Sequence, residues 1–446
     1  MDDNGRFALS SRLQSVPIAK ISGKIISIRG LLLEAVGLKV PVGQLCKIIQ
    51  KSGEETEAEV VGFNGKHLFL MSLSNTIEGI AAGNQVTPLP ISYRVPVGDQ
   101  LIGRVIDALG VPLDGRPLLL TESIPLSPAP LNPLARQPVS QPLMVGIRAI
   151  DSLLTLGKGQ RVGLFAGSGL GKSTLLSMMT QYTEVDVTVI GLIGERSREV
   201  GELVNKTLGV DGLKQAVVIA SPGDESPVRR VRAALYCHCI AEYFRNQGKS
   251  VLLLMDSLSR FAQALREVAL AAGETPASRG FPPSVFSRIP LLIERAGPAI
   301  GSGFISAVYT VLAESDDMND PIVDCARSAL DGHIILSRSL AERGHYPAID
   351  IEKSISRVMT NVVSQSHHNS ALSFRRYHGK YHESRDLMAI GLYKKGVDPL
   401  LDKAIDLNPV MDNFLKQSSH EKTQATDSIR QLDELVQPKS VIPEAS

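Results

Sequence analysis

Apolar residues in the central part of the chain form continuous runs rather than alternating with polar ones. Continuous runs followed by stretches of helical periodicity are typical of parallel strands that helices cover on both faces. The pattern therefore predicts an α/β domain built on a parallel sheet. The runs lie at residues 162–165, 185–193, 217–220, 251–255, 305–312 and 333–336.

The first 92 residues show a different pattern. Short apolar runs alternate there with glycine turns such as Asn64-Gly65. Many short strands with glycine turns predict a small β-barrel. Eight prolines then occur between residues 110 and 142, with apolar residues between them. This composition favours an extended connector that packs on the core over a flexible linker.

The C-terminal part of the chain is predicted to be helical. Phe374, Tyr377 and Tyr381 recur at helical spacing, as do apolar residues near position 432. We therefore expect three domains: a β-barrel at 1–92, an α/β domain at 93–362, and helices with a frayed tail at 363–446.

A glycine-rich loop follows the first apolar run of the central domain. Strand, glycine loop, Lys-Ser and helix is the arrangement that binds a nucleoside triphosphate. Glycine lets the backbone approach phosphate closely, and N–H groups at a helix N-terminus favour an anion. We expect Lys172 to reach the β- and γ-phosphates of ATP and the Ser173 hydroxyl to bind Mg²⁺. The predicted ATP-binding residues of the loop are Ala166, Gly167, Ser168, Gly169, Leu170, Gly171, Lys172, Ser173 and Thr174.

Two carboxylates directly follow buried apolar runs, and ligands of open α/β sheets bind at the carboxyl ends of strands. Asp256 is therefore expected to hold Mg²⁺ opposite Ser173, although it could instead cap the next helix. Glu195 is the candidate that polarises the attacking water. Arg196 could contact phosphate or pair with Glu199, and a solvated Glu-Arg turn is the alternative for both residues.

A further positive charge is needed to stabilise the transition state of phosphoryl transfer. An arginine supplied by a neighbouring subunit increases the rate about 10³–10⁵-fold in many nucleotide hydrolases. Arg357, which follows Ser354-Ile355-Ser356, is the candidate. The spacing does not show that it crosses a subunit boundary.

Composition excludes several functional classes. Lys+Arg 47 against Asp+Glu 46 gives a net charge of +1, and aromatic residues make up only 4% of the chain. A strong general attraction to nucleic acid is therefore not expected. The N-terminal segment resembles no signal peptide, and four scattered cysteines fit a reducing compartment, so we expect a cytoplasmic protein. Cys237-His238-Cys239 has no second ligand cluster beside it, which favours a buried helix face over a zinc site.

Several motifs together resemble the export ATPases of type III secretion systems, from about residue 20 to about 416. Two segments, 33–37 (LEAVG) and 59–65 (EVVGFNG), resemble the flagellar branch more than the virulence branch. The family is related to the α and β subunits of rotary ATP synthase. The matching motifs are 165–173 (FAGSGLGKS), 191–196 (GLIGER), 255–257 (MDS), 280–286 (GFPPSVF), 330–338 (LDGHIILSR) and 344–350 (GHYPAID).

The resemblance implies a RecA-like P-loop NTPase core between an N-terminal β-barrel and a C-terminal helical domain. It also implies a homohexamer with ATP bound between subunits, and Ala166 is usual in this branch. Ser197 departs from the glycine that the family usually has after Glu-Arg. The implied site residues are Lys172 and Ser173 of the P-loop, Glu195 as the catalytic glutamate, Asp256 at Mg²⁺, Arg357 as the arginine in trans and Tyr346 against adenine.

The function implied by the resemblance is a Mg²⁺-dependent ATPase that energises protein export. Its implied partners are the flagellar or type III export apparatus, a regulatory stator protein, export chaperones and their substrates. It would act in the cytoplasm and at the periphery of the inner membrane, beside the export gate. Flagellar relatives usually carry a longer amphipathic leader that binds the stator protein and acidic lipid, and we expect its remnant here at residues 6–9 and 12–13.

Three other functions stay open from the sequence. A catalytic subunit of a rotary synthase shares the core, but its acidic lever segment is not evident after Gly391. An RNA translocase requires a basic, aromatic N-terminal domain, whereas residues 1–92 carry a net charge of +1 and three phenylalanines. A nucleotide-binding scaffold without turnover is disfavoured by Glu195. Neither the exported substrates nor the choice between a flagellum and an injectisome can be read from the chain.

Overall fold

The computed structural model describes residues 21–90, 94–299, 301–313 and 320–436, apart from the side chain of Ala135. Residues 6–13 and the predicted tail from 437 onward lie outside the described residues. The chain forms two compact units. One contains the described residues up to Arg94 together with Glu225–Val228 and Glu267–Thr275, and the other contains the rest.

The first unit contains a closed barrel of six antiparallel strands, which confirms the predicted N-terminal barrel. The strands are β1 (Gly23–Arg29), β2 (Leu32–Val36), β3 (Leu45–Ile49), β4 (Glu55–Asn64), β5 (His67–Ser72) and β6 (Gln85–Pro88). They are ordered β1-β2-β5-β4-β3-β6. Alternate side chains such as Leu33, Ile48 and Val60 fill the interior. Gly65, with φ 59°, forms the tight turn between β4 and β5.

The second unit is built on one large sheet. The remaining strands of the chain are β7 (Arg94–Val97), β8 (Arg104–Ile106), β9 (Glu122–Pro125), β10 (Pro142–Leu143), β11 (Leu156–Gly157), β12 (Arg161–Ala166), β13 (Val187–Ile193), β14 (Ala216–Ser221), β15 (Ser250–Asp256), β16 (Gly297–Pro298), β17 (Phe304–Leu312), β18 (Gly332–Ile335) and β19 (Ile355–Ser356). The large sheet has the order β19-β18-β12-β17-β15-β13-β14-β8, with β16 beside β17. The strands from β18 to β8 are parallel, and β19 is antiparallel to β18.

Helices follow most strands of the large sheet and form the C-terminal region. None of those in the described segments is both long and apolar enough to cross a lipid bilayer. Short 3₁₀ turns occur at Asp99–Leu101, Pro133–Ala135 and Ser278–Gly280, and a π-helical segment at Leu203–Leu208. The α-helices are α1 (Arg148–Leu153), α2 (Lys172–Tyr182), α3 (Ser197–Glu202), α4 (Gly209–Leu213), α5 (Pro227–Asn246), α6 (Leu258–Ala271), α7 (Pro283–Ile293), α8 (Pro321–Ala329), α9 (Arg338–Glu342), α10 (Met359–Val362), α11 (Gln365–Glu383), α12 (Arg385–Ala389), α13 (Pro399–Leu415) and α14 (Ala425–Val436).

Both faces of the large sheet are buried, which explains its continuous apolar runs. Val162 and Leu164 of β12 point into one apolar cluster, whereas Phe165 points into the other. Because successive side chains of a strand point to opposite faces, a strand covered on both faces needs apolar residues at every position. Cys237 and Cys239 are buried on α5 beneath this sheet, as expected for a helix face.

The C-terminal helices pack through an aromatic centre. Phe374 of α11 is fully buried, and its ring centroid lies 5.6 Å from that of Phe414 on α13. Helix α11 begins after Ser364, whose side chain accepts a hydrogen bond from the N–H of His367. Asp398 caps α13 in the same way, and Pro399 occupies its first turn.

Candidate active site

The glycine-rich loop forms an anion-binding turn between β12 and α2. Ala166 is the last residue of β12, so it has strand geometry, and Lys172 is the first residue of α2. Gly169 and Gly171 have φ values of 79° and 89°, which residues other than glycine rarely adopt. The first N–H groups of α2 have no partner within the helix, so they are available to an anion, which the helix dipole also favours.

Three charged side chains meet at the carboxyl ends of neighbouring strands. Leu192 of β13 pairs with Asp256 of β15, which places the residues after β13 beside the end of β15. Lys172 Nζ lies 2.5 Å from Asp256 Oδ1 and 3.5 Å from Glu195 Oε1. The structure therefore brings together the three residues that sequence reasoning selected from separate motifs, and Asp256 contacts Lys172 instead of capping α6.

Thr310 is a site residue that the sequence did not reveal. It lies on β17, is fully buried, and its hydroxyl donates to Asp256 Oδ1 at 2.6 Å. A threonine inside an apolar run gives no signal of its own, because its importance depends on which strand pairs with β17. Strand β17 pairs with β15, so Thr310 reaches the carboxylate from the neighbouring strand.

Glu195 is positioned by the turn that follows β13. Gly194 has φ 74°, and a Cβ atom there would come within 2.7 Å of Arg260 Cβ. Its N–H donates to the carbonyl of Ser221, which fixes the turn. Ser197 begins α3, so the departure from the usual glycine fits this loop without a positive φ.

The carboxylate of Glu195 has an unusual environment. Its side chain is only 12% exposed, and Oε1 has no hydrogen-bond partner within the described part of the chain. Burial and, to a smaller extent, the Asp256 carboxylate raise the pKa of Glu195 to about 7, although Lys172 opposes the rise. Glu199 also lies close enough to raise this pKa.

The donor set around this point fits a magnesium ion. Ser173, Glu195, Glu199 and Asp256 line one cavity of about 320 Å³. A hydroxyl and carboxylates are the hard oxygen ligands that Mg²⁺ prefers. Glu195 Oε1, which accepts no hydrogen bond from the described residues, is a further oxygen that a cation or a water molecule can contact.

Arg196 is the least constrained of the predicted site residues. Its side chain is 80% exposed, and its Nε lies 4.0 Å from Glu199 Oε1. This separation is at the limit of an ion pair and indicates a weak local contact. The local pairing that the sequence suggested is therefore present, and the side chain is exposed to solvent.

A second cavity, also of about 320 Å³, adjoins the other side of the P-loop. Tyr346 lies on its wall, and a Cβ atom on Gly171 would lie 3.6 Å from the Tyr346 ring. The cavity is otherwise lined by Leu170, Gly171, Thr174, Leu175, Met178, Leu336, Pro347, Ala348, Gln417, Ser418 and Ser419. An aromatic ring and apolar side chains beside a phosphate-binding loop form a suitable place for a nucleobase.

Arg357 lies near the start of β12, whereas the P-loop follows the end of that strand. Its N–H donates to the carbonyl of Asp331, and the N–H of Asp331 donates to the carbonyl of Arg161 at the start of β12. Lys172 follows the far end of this six-residue strand, about 17 Å away at ~3.3 Å per residue. The exposed guanidinium donates to the carbonyls of Leu330 and Arg327 of its own chain, at 3.1 and 3.4 Å.

Comparisons with known proteins identify the family to which the chain belongs. A model of the ATP synthase alpha/beta family, nucleotide-binding domain, matches residues 146–356, and a model of the T3SS EscN ATPase C-terminal domain matches residues 363–434. The flagellum-specific ATP synthase of Pseudomonas aeruginosa is 52% identical over 421 residues, which cover 93% of both chains. The chain belongs to the family of flagellum-specific ATP synthases and type III secretion ATPases.

Solved structures of this family have the same fold. The assembled ATPase EscN from the type III secretion system of enteropathogenic E. coli has a TM-score of 0.87 at 43% identity. EscN in complex with its central stalk EscO has a TM-score of 0.84 at 42% identity. Each match covers 93% of this chain and all of the EscN chain. The expected RecA-like P-loop core with an N-terminal barrel and C-terminal helices is therefore confirmed.

Family membership also fixes the reaction class. This chain is an ATP hydrolase of the flagellar and type III export family. A rotary synthase subunit is less well supported, because the C-terminal region matches the type III secretion model.

Proposed function

We propose that this ATPase hydrolyses ATP at the subunit interfaces of a homohexamer and thereby energises protein export through a flagellar apparatus. The flagellar branch is favoured because the flagellum-specific relative is 52% identical, compared with 43% for EscN of a type III secretion system. By analogy with the EscN–EscO complex, we expect a stalk or stator protein to bind the ring, together with export chaperones and their substrates.

In this proposal the P-loop binds the triphosphate. The N–H groups around Gly169 and Gly171 and the Lys172 ammonium neutralise phosphate charge. Ser173 and Asp256 would hold Mg²⁺, and Thr310 fixes the Asp256 carboxylate by donating to it. When bound, Mg²⁺ supplies further charge neutralisation on the phosphate oxygens. Lys172 has to exchange Asp256 for phosphate when the nucleotide arrives, because both compete for the same ammonium.

Glu195 acts as the base that orients and polarises the attacking water. Its Oε1 can accept a hydrogen bond from water, since among the described residues it makes only the 3.5 Å ion-pair contact with Lys172. Its raised pKa matches a base that works near neutral pH. Tyr346 would contact adenine in the second cavity, and Arg196, whose side chain is 80% exposed, would contact phosphate.

The shared-site proposal rests on one observation, the distance between Arg357 and the P-loop of the same chain. About 17 Å of β12 separates its backbone from the P-loop of the same chain, so it cannot complete its own site. An exposed guanidinium at a sheet edge can reach the γ-phosphate bound by the next subunit. A head-to-tail interface that repeats this contact with a sixfold rotation closes into a ring of six.

Mixing two inactive variants tests the proposal. Lys172→Ala removes the phosphate contact of a chain's own site, whereas Arg357→Ala removes the arginine given to the neighbour. Each variant alone should lose about 10³-fold or more in turnover. In a 1:1 mixture about a quarter of the interfaces combine an intact P-loop with an intact arginine, so hydrolysis should return to about that fraction.

A second mixture provides the matched control. Lys172→Ala mixed with Glu195→Gln places both lesions in the same half of the site, so no interface becomes complete and no activity should return. Recovery in this control, or none in the first mixture, would contradict the assignment of Arg357.

The export role and the branch are tested in cells. A pull-down with this chain should capture flagellar rod, hook or filament proteins and their chaperones. A rotary synthase subunit would instead sediment as an obligate complex with a second, different subunit, and this result would replace the proposal.

A further inference from the structure

A second group of metal-binding side chains lies apart from the nucleotide site. Glu352, His378 and His382 each offer one ligand atom, and these atoms all lie within 4.8 Å of one another. None of these three residues lines either of the two cavities beside the P-loop. We propose that the cluster is a binding site for a divalent transition metal, with Zn²⁺ as the best fit.

The two histidines are held at the spacing of a helical metal site. His378 and His382 are four residues apart on α11, so their side chains project from the same face of the helix. Their ring centroids are 4.4 Å apart. Two histidines at this spacing on one helix are a known way to present two imidazole ligands to zinc.

Glu352 approaches the pair from a different part of the fold. Its Oε1 lies 3.0 Å from His378 Nδ1. In a tetrahedral site with metal–ligand distances of about 2.0–2.1 Å, adjacent ligand atoms are about 3.4 Å apart. The carboxylate and the imidazole therefore already have nearly the spacing of two ligands. A metal ion bound at Nδ1 would replace this hydrogen bond, and the neutral imidazole would carry its proton on Nε2.

The surroundings keep the imidazoles in place before any metal arrives. The His378 ring stacks on the fully buried ring of Phe374, with centroids 5.9 Å apart and an angle of 17° between the planes. His382 contacts the Tyr381 ring edge-on at 5.5 Å. The Glu352 side chain is 42% exposed, so water can occupy a fourth position. Pre-oriented ligands with one open position make a site that takes up metal from solution.

The donor set selects the metal. Two imidazoles and one carboxylate suit Zn²⁺, Co²⁺ or Ni²⁺, whereas Mg²⁺ prefers oxygen ligands alone. The Mg²⁺ needed for ATP hydrolysis should therefore not compete. Lys353, Arg343 and Arg385 add positive charge around the cluster, which reduces its affinity for any cation.

A bound metal would join two parts of the second unit. Glu352 lies in the segment between β18 and β19, five residues before Arg357, whereas both histidines belong to α11. The same two parts already share a contact, because Arg375 of α11 donates to the carbonyl of Ser354 at 3.2 Å. The metal would therefore stabilise the folded chain by mass action, since the unfolded chain presents no such site.

The test is a Zn²⁺ titration of the chelator-treated full chain in excess MgCl₂, followed by calorimetry and by the melting temperature. We expect one Zn²⁺ per chain at this site and a rise in Tm, both lost in His382→Ala. The matched control is His67→Ala. His67 forms a similar pair with Glu34, at 2.6 Å, but belongs to no group of three metal-ligand side chains among the described residues, so this variant should bind like the wild type.

Glu352→Gln is a second variant that separates the loss of a ligand from misfolding, because it keeps the side-chain shape and disturbs no buried ring. It should bind Zn²⁺ at least about tenfold more weakly, having lost its charged ligand. Failure of the wild type to bind Zn²⁺ would overturn the proposal. So would equal affinity of the wild type, His382→Ala and Glu352→Gln, or a Co²⁺ spectrum with thiolate charge-transfer bands, which would assign the metal to a cysteine.

Discussion

At the scale of single residues, Glu195 and its neighbours make the site sensitive to pH. A base has to be ionised to polarise water, and burial raises the pKa of Glu195 to about 7. Below that pH the carboxyl is mostly protonated and inactive, and above it the carboxylate is present. We predict that kcat/KM falls about tenfold for each pH unit below 7 and levels off above it. Initial rates between pH 5.5 and 9 measure this profile.

Glu199 provides the control, because its carboxyl contributes to the raised pKa of Glu195. Glu199→Gln should move the ascending limb to lower pH, whereas protonation of the nucleotide itself would leave the limb where it is. A profile that is identical in the two proteins would remove Glu195 as the group that titrates.

Thr310 is predicted to affect catalysis without touching substrate. Thr310→Val keeps the volume of this fully buried side chain but removes its hydrogen bond to Asp256. Hydrogen bonds to charged groups contribute about 1.5–3 kcal/mol, so we expect kcat/KM for Mg-ATP to fall about tenfold or more. The comparison is Thr155→Val, which removes an equally buried hydroxyl that donates to the Asp151 carbonyl at 2.8 Å. That variant should lose stability with little change in kcat/KM; equal kinetic losses would show that the Thr310 effect is only structural.

The residues that could be selected from the sequence were those whose side-chain type and neighbouring residues together indicate a chemical role. Lys172, Glu195 and Asp256 each follow a strand that periodicity could locate, and the structure brings them together. Thr310 could not be found in this way, because its role depends on the pairing of β17 with β15, which no local pattern encodes. The role of Tyr346 was proposed from the family resemblance alone, whereas Arg196 and Arg357 were proposed first from their places in the sequence; all three roles stay predictions.

At the scale of elements, α11 is the link between the C-terminal helices. Phe374 is fully buried and packs on Phe414, so Phe374→Ala should cost about 3–5 kcal/mol of unfolding free energy. Leu372→Ala on the same helix is the control, because Leu372 is 51% exposed and should change the stability by no more than about 0.5 kcal/mol. Urea unfolding followed by circular dichroism measures both. Similar midpoints for the two variants would contradict the packing of α11.

Elements were predictable from the sequence in proportion to their length. The long apolar runs gave β12, β13, β15 and β17 to within two residues at either end. Strands β8 and β19 contain only three and two residues, too few for periodicity to identify. Their places at the two edges of the sheet come from long-range pairing, such as that of β8 with β14.

At the scale of the whole molecule, a site shared between subunits makes hydrolysis depend on assembly. Specific activity should therefore rise with protein concentration and reach a plateau once rings are complete. Dilution series with sedimentation at the same concentrations measure both quantities. Full activity in a preparation that sediments only as monomer would contradict the shared site.

The ties of Arg357 to its own sheet have a consequence for such a ring. Through Asp331 the arginine is bonded to the start of β12, and the same strand ends at the loop that holds the subunit's own nucleotide. One strand thus has the P-loop at one end and, at the other, the side chain that we propose acts in the neighbouring subunit. If that side chain completes the neighbouring site, nucleotide binding in one subunit would influence the next subunit in one direction around the ring only.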